Sequence, residues 1–464
     1  HIPVHLGSMS FSTRAIVENK SIKIKEGDIF ILNDPFKGGT HLPDITCISP
    51  VFIKNKLEFL LVSRAHHADI GGKTPGSMPL SNTIHDEGLI IPPTKICSNG
   101  KINKRIFNKI INSTRNPTER EGDFHAQIAS LNIGKKRILE LVKKYSIKTV
   151  KMASEELVNY SEKLMRSVIK TIPDGKYRFK DYLDDDGFGT KNIPIKVLIE
   201  ISDDQAIIDF SGSSKKVEGC LNAPFSVTTS AVIYCFQCLA PKNTPLNSGP
   251  LRAINIKVEN DSILNAKYPN AVVGGNVETS QRIVDAVFGA LSKAIPNKVQ
   301  AASNGSMNNI TFGGKTDNIN EYTYYETIGG GMGARSGLHG ISGIQTHMTN
   351  TLNTPIEALE RELPIMIEKY AINKNSGGKG KFKGGNGIIR EYKFLNDSKV
   401  TILSERRVNE PWGIKGGENG STGKNILFRN KSRSIIPAKC SFDAHTGDIV
   451  RIETAGGGAW GKSP

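Results

Sequence analysis

At 464 residues the chain is too long for one ordinary domain, and its length predicts two or three, each with its own core. Apolar residues make up 38% and charged residues 23%, a soluble globular balance, and no run approaches the roughly 18 apolar residues of a membrane span. The net charge of +16 is spread along the chain, mostly as Lys among Asn and Ile. No basic stripe interleaves with aromatics, so neither nucleic acid nor a membrane is an expected partner.

The sequence opens His1-Ile2-Pro3-Val4-His5, with no initiator Met and no signal-peptide pattern. It reads as a segment whose N-terminus lies upstream. Six cysteines, at 47, 97, 220, 235, 238 and 440, are too few for a disulfide framework in so long a chain. They fit a reduced, cytoplasmic setting. Cys235-Phe-Gln-Cys238 lies in an apolar, helix-like run and lacks the second pair of a zinc ribbon, so it reads as core cysteines.

In chain order, three short apolar runs come first: Asp28–Asn33, Asp44–Ile53 and Leu57–Arg64, each of strand length and composition. Glycine and proline punctuate residues 71–93. Thr118 with Glu121 then forms a capping-box pattern after Pro117, predicting a helix through Gln127 and Leu131 towards Lys144. A second helix is expected over about Val150–Ile172. Tyr177–Phe179, Ile193–Ile201 and Ala206–Phe210 read as strands, with a hairpin turn at Asp203-Asp204. Helices are expected over Pro224–Leu239 and from near Glu278 to Ile295. Strands and glycine turns follow, ending in the glycine-rich tail Thr454–Gly461.

Six of the ten histidines fall within the first 85 residues. Asp34-Pro-Phe-Lys-Gly-Gly-Thr-His-Leu-Pro-Asp44 joins the first strand to the second, and Arg64-Ala-His-His-Ala-Asp69 ends the third. In an antiparallel meander, His41, Asp44 and His66 meet at one rim of the sheet. Pro43 keeps His41–Asp44 in a turn, and Gly38-Gly39 let the backbone fold behind it. Two imidazoles and a carboxylate suit Zn, Mn or Fe better than Ca or Mg, and an open site generates hydroxide from bound water near neutral pH. His67 and Asp69 stand beside the site as catalytic candidates for moving a proton or orienting a ligand. The plainer alternative is that these histidines cap strands and bind turn backbone.

These segments, with His66-His-Ala-Asp-Ile-Gly-Gly-Lys-Thr-Pro-Gly-Ser-Met78, Glu87-Gly-Leu-Ile-Ile-Pro-Pro93, Arg115-Asn-Pro-Thr-Glu-Arg-Glu-Gly-Asp123, Gly275-Asn-Val-Glu-Thr-Ser280, Glu326-Thr-Ile-Gly-Gly330 and Met348-Thr-Asn-Thr-Leu-Asn-Thr-Pro355, carry a resemblance. The chain resembles the hydantoinase B / 5-oxoprolinase family, which includes the large subunit of acetone carboxylase. The resemblance implies a metal held by His41, Asp44 and His66, with a further Asp ligand upstream of His1. It also implies an actin-like ATPase partner of the hydantoinase A type, separate or fused, that phosphorylates the ring amide of a small cyclic substrate. ATP is then used by the partner and not bound here. Consistently, Gly329-Gly-Gly-Met-Gly-Ala-Arg-Ser336 lacks the Lys of a phosphate loop.

Arg120, Asp123, Phe124 and Gln127 share one helix face, which either lines the substrate cleft or partner interface or is simply a cap with a surface ion pair. Asn276, Glu278 and Arg282, where a glycine turn enters a helix, either receive an anionic intermediate or cap the helix. The Gly329–Gly333 run suits close backbone approach to substrate or partner. The expected fold is α+β with several mixed sheets: a metal-site region over 1–145, a middle α+β region over 146–260 and a strand- and glycine-rich region over 261–464. The expected function is ring-amide hydrolysis within a hetero-oligomer, metal-bound hydroxide attacking the phosphorylated substrate. The alternatives are a carboxylase subunit of the acetone carboxylase type and a non-catalytic metal-binding scaffold.

Overall fold

The computed structural model describes residues 2–315 and 321–463. After helix α1 (Met9–Val17), the strands β1 (Ile29–Leu32), β2 (Asp44–Ile53) and β3 (Lys56–His66) form the antiparallel meander that their apolar runs predict. A short helix α2 (Ile84–Glu87) and the strands β4 (Thr94–Ser98) and β5 (Lys101–Ile102) complete a five-stranded sheet of order β3-β2-β1-β4-β5. The first eight residues of β2, Asp44–Val51, are all buried, as suits a strand with partners on both sides. Pro50, opposite Leu60 of β3, lies beyond the β2 residues paired to β1, so its missing N–H costs no bond to that strand.

Helix α3 (Lys104–Ile111) leads into α4 (Pro117–Tyr145), which packs Phe124, Gln127 and Leu131 towards β2 and β3. The expected capping box is replaced by another start. Pro117 occupies the first helical turn, where its missing N–H costs nothing, and Asn116 is the cap residue, its side chain donating to Glu119 and making no cap bond to the backbone. Helix α5 (Ile147–Ile169) returns beside α4 and reaches the second sheet.

That sheet, β6 (Gly175–Asp185), β7 (Lys191–Ser202), β8 (Gln205–Asp209) and β9 (Ile254–Lys257), is antiparallel except for the parallel β8–β9 pair. The β7–β8 turn falls at Asp203-Asp204, with Asp203 at φ +50°. Two helices, α6 (Phe225–Gln237) and α7 (Ser280–Ala294), pack against each other, and α7 packs on β6 and β7. Cys235 is buried in α6 and Cys238 is exposed at its end; all six cysteines are free thiols.

The C-terminal half holds β10 (Asn309–Gly314), β11 (Tyr322–Thr327), a short helix α8 (Ile356–Glu362), β12 (Ile365–Asn373), β13 (Gly387–Phe394), β14 (Ser398–Leu403), β15 (Lys424–Arg429), β16 (Ser432–Ile436), β17 (Lys439–Ala444) and β18 (Ile449–Glu453). They form one sheet of order β11-β10-β14-β17 and another of order β12-β13-β18-β15-β16. The two share a core containing Phe312, Tyr392, Phe394, Ile402 and Ile452. The fold is thus α+β, with four sheets among the described residues. No helix among the described residues is long and apolar enough to cross a membrane.

Candidate active site

The turn between β1 and β2 is built on Gly38, at φ +93°, whose missing Cβ leaves room for the backbone of Phe11. Arg64 on β3 ties the turn to its neighbours: its guanidinium donates to the Gly38 carbonyl at 3.4 Å, to Ser8 Oγ, to Ser12 Oγ at 2.7 Å and to Thr46 Oγ1 at 2.7 Å. In consequence Asp44, the first residue of β2, faces His66, the last residue of β3, as a cross-strand pair. The His41 and His66 ring centroids are 5.1 Å apart. The three predicted metal ligands are therefore brought together at one rim of the sheet.

Around them the structure adds residues that sequence reasoning passes over. His5 Nε2 lies 2.8 Å from Asp44 Oδ2, and Thr40 Oγ1 donates to the same oxygen at 2.5 Å. Burial raises the Asp44 carboxyl, but the two imidazoles beside it outweigh that and hold it well below the usual carboxylate range. His66 is exposed at the rim of the sheet yet closely surrounded by protein; the desolvation this causes, with His41 beside it, pushes its pKa down to about 3. Tyr325 of β11 stacks on it, centroids 5.0 Å apart and planes 15° from parallel. His5 belongs to the skewed N-terminal histidine set, which is a usable signal. Nothing in the local pattern marks Tyr325 except its place beside the Glu326-Thr-Ile-Gly-Gly motif.

Two imidazoles and a carboxylate are a matched donor set for a transition ion. His41 Nδ1 is buried without a partner, and Nε2, although 3.1 Å from Asp44 Oδ2, makes no well-aligned hydrogen bond, a costly state unless another group engages the ring. The donors fit such an ion. Among the described residues, however, no three of His, Cys, Asp or Glu stand as a closed ligand group. Asp44 Oδ2 is instead taken by His5 and Thr40, with His41 Nε2 3.1 Å away.

His67 and Asp69 separate in role. Gln127 donates both amide hydrogens, to Ile45 O and Ser63 O, so its Oε1 accepts from His67 Nε2 at 3.3 Å. That makes His67 the Nε2–H tautomer, and its buried Nδ1 keeps a free lone pair. Asp69 accepts from the Gly71 and Gly76 amides, the Arg115 amide and the Arg115 guanidinium. With four donors on two oxygens it has no capacity left for proton traffic, and it organises the loop that follows β3.

Arg120 is buried on the α4 face that carries Phe124 and Gln127 towards His67, and it pairs with Glu119 and Asp123 at 2.8 and 3.1 Å. The helix start read as either an anion site or a simple cap is filled from within the chain. The helix begins before the π-helical turn Gly275–Thr279, and the Val272 and Val273 amides donate to Glu87 Oε1 at 2.8 and 3.0 Å, joined by Ser81 Oγ. Burial raises Glu87 to about 8 despite these bonds. Arg282 is fully buried among Asp181, Glu405 and Asp285, at 3.4, 3.3 and 3.6 Å, whose carboxylates raise its pKa against the effect of burial. Asn276 is buried with Oδ1 unpartnered. Glu278 is linked to Tyr325 beside His66: its Oε1 accepts from Asn309 Nδ2 at 2.7 Å, and Asn309 Oδ1 accepts from the Tyr325 hydroxyl at 2.9 Å. The Gly329–Gly333 run packs within the chain, Gly331 N bonding Ala455 O and Met332 O accepting from Gly385 N.

A family model described as hydantoinase B/oxoprolinase matches residues 1–463. A protein of Methanocaldococcus jannaschii without an assigned role is 42% identical, across all of this chain and 81% of its own. The 5-oxoprolinase 1 of Arabidopsis thaliana is 39% identical across all of this chain, which spans only 38% of that protein. A protein named as one subunit of a D-/L-hydantoinase in Pseudomonas sp. (strain NS671) is 32% identical, over 97% of this chain and 78% of its own. Among solved structures, the ATP-dependent caprolactamase from Pseudomonas jessenii superposes with a TM-score of 0.92 at 27% identity, covering 99% of this chain and 82% of that one. Acetone carboxylase shares the fold, with a TM-score of 0.92 at 19% identity over 99% of this chain and 68% of that one.

Proposed function

This chain belongs to the hydantoinase B/oxoprolinase family, and on that premise we propose that it is the catalytic part of an ATP-dependent hydrolase that opens cyclic amides. The observation that carries the reading is the meeting of His41, Asp44 and His66 at one sheet rim, with His41 Nδ1 buried and unpartnered. The names of its relatives, 5-oxoprolinase and D-/L-hydantoinase, and the caprolactamase likeness support the substrate class and the use of ATP.

In this proposal His41, Asp44 and His66 hold a divalent transition ion, Mn, Zn or Fe. Such an ion, when bound, supplies Lewis acidity and activates water. His5 and Thr40 orient the Asp44 carboxylate through its Oδ2. His67 accepts a proton at Nδ1, its tautomer set by Gln127. Asp69 and Arg115 hold the loop that carries His67's neighbours in place. Phosphorylation of the ring oxygen is assigned to an actin-like ATPase partner of the hydantoinase A type. Its support is that the Pseudomonas relative is named as one subunit of its enzyme.

The test is metal content by mass spectrometry on the full-length protein purified without chelator, for the wild type and His41→Ala, followed by turnover of hydantoin and 5-oxoproline with ATP and the partner. Near-stoichiometric transition metal lost in His41→Ala, with ATP-dependent ring opening, is expected. A wild type that stays metal-free after supplementation with Zn, Mn and Fe overturns the reading. Carbon dioxide fixation with bicarbonate in place of ring opening would turn it into a carboxylase.

A further inference from the structure

Strand β11 presents its side chains alternately to two sides. Tyr324 and Glu326 turn into the C-terminal core, where the Tyr324 hydroxyl donates to Glu326 Oε2 at 2.6 Å. Tyr325 faces the other way, across to His66 on the N-terminal sheet, and its ring lies nearly parallel to the imidazole. Its hydroxyl donates to Asn309 Oδ1. That direction is fixed, because Asn309 Nδ2 is committed to Glu278 Oε1 and to Leu403 O at 2.9 Å. Glu278 Oε1 also accepts from the Met307 amide at 3.1 Å, so the far end of this arm is anchored to buried backbone.

Metal-bound histidines usually donate their second ring N–H to a carboxylate or carbonyl, which fixes the ring plane. Among the described residues no hydrogen bond holds the His66 ring. Its ordered ring contacts are with His41 and Tyr325. We propose that Tyr325, through its stacked ring, is the positioning residue for His66, setting the plane of the imidazole and the nitrogen it presents at the sheet rim. The C-terminal half thereby orients a side chain of the N-terminal sheet. This rests on the reading of His66 as a metal ligand for its consequence in catalysis, but not for the stacking itself.

The test uses the full-length protein and three forms: wild type, Tyr325→Phe, which keeps the ring, and Tyr325→Leu, which removes it. Thermal unfolding establishes that each is folded. The first readout needs no metal. In protein carrying 13C-labelled histidine, the His66 ring signal, assigned with His66→Ala, is expected to be displaced by the stacked ring in wild type and Tyr325→Phe. In Tyr325→Leu it should move towards the position of a free imidazole, keeping only the smaller displacement due to His41. The second readout is Zn2+ affinity by competition with a chromophoric chelator. Tyr325→Leu is expected to weaken binding about tenfold, the lower end for loss of an orienting group, with Tyr325→Phe close to wild type. A His66 signal unchanged in Tyr325→Leu overturns the proposal whether or not metal binds. So does a Tyr325→Phe variant that loses Zn2+ affinity as far as Tyr325→Leu. A wild type that binds no metal, with the ring displacement intact, overturns the hydrolase reading alone.

Discussion

At the scale of single residues, two buried carboxylates show how partners decide role. Asp69 gathers four donors, one of them the Arg115 guanidinium at 2.7 Å. Asp69→Asn replaces one accepting oxygen by a donor facing donors and removes the charge. It should cost about 2–3 kcal/mol in urea unfolding, the range for hydrogen bonds to charged groups. Glu87 differs. Its Oε1 takes three donors, but Oε2 is buried with no partner, so ionisation leaves a bare charge in a low dielectric. Its folded pKa of about 8 lies above the ordinary value of 4.5. Between those values the folded state holds a proton that the unfolded state has lost. The stability it contributes is therefore complete below about 4.5 and falls away as pH rises through about 8. Melting temperature followed from pH 5 to 9 should decline in the wild type and decline less in Glu87→Gln, which keeps the accepting oxygen without the charge. Equal slopes would show that Glu87 is ionised throughout.

At the scale of elements, the β1–β2 turn does most to place the site. Its position is set by Gly38, where a left-handed backbone and the nearby Phe11 main chain leave no space for a Cβ. Gly38→Ala should destabilise by at least about 2 kcal/mol, since strain at positive φ and displacement of α1 act together. Because His41 and Asp44 ride on the same turn, metal content should fall in step with stability. Retention of wild-type midpoint and metal would refute this view of the turn. The β2–β3 register matters equally. Asp44 opposes His66 only in the observed pairing, and a slip of one residue would turn every side chain of β3 to the other face.

At the scale of the whole molecule, a buried ionic network ties the middle sheet to the C-terminal half. Arg406, beyond β14, reaches Asp181 on β6 at 2.9 Å and Asp285 on α7 at 2.6 Å. Arg282 completes the same cluster, and Lys439 pairs with Glu405 at 2.6 Å beside it. Arg406→Met would leave two buried carboxylates short of a counter-charge, which typically costs about 3–5 kcal/mol. Equilibrium denaturation should show that loss, and limited proteolysis should then cut first between the middle and C-terminal sheets. A loss under about 1 kcal/mol, the range of an exposed pair, would mean that water reaches the cluster. This network explains why Arg282, singled out for its place near a glycine turn, is found as a brace in the interior.

Local pattern alone determined much of this protein. Strand-length apolar runs separated by Gly and Pro specified the meander, and the meander in turn brought His41 and Asp44 to His66, because antiparallel neighbours return the chain to the same rim. The 3.6-residue spacing of Arg120, Phe124 and Gln127 likewise placed one helix face against His67. What tertiary structure decided is who else arrives. Tyr325 reaches His66 from another sheet, Glu87 fills the helix start that the sequence left open to an anionic ligand or a simple cap, and Arg282 meets Asp181 of β6 and Glu405 beyond β14. None of these contacts has a period or spacing to read, because each depends on packing between elements far apart in the chain. The start of α4 shows the same limit at short range: Pro117, fitted to the first turn, displaced a capping box that Thr118 and Glu121 spelled out.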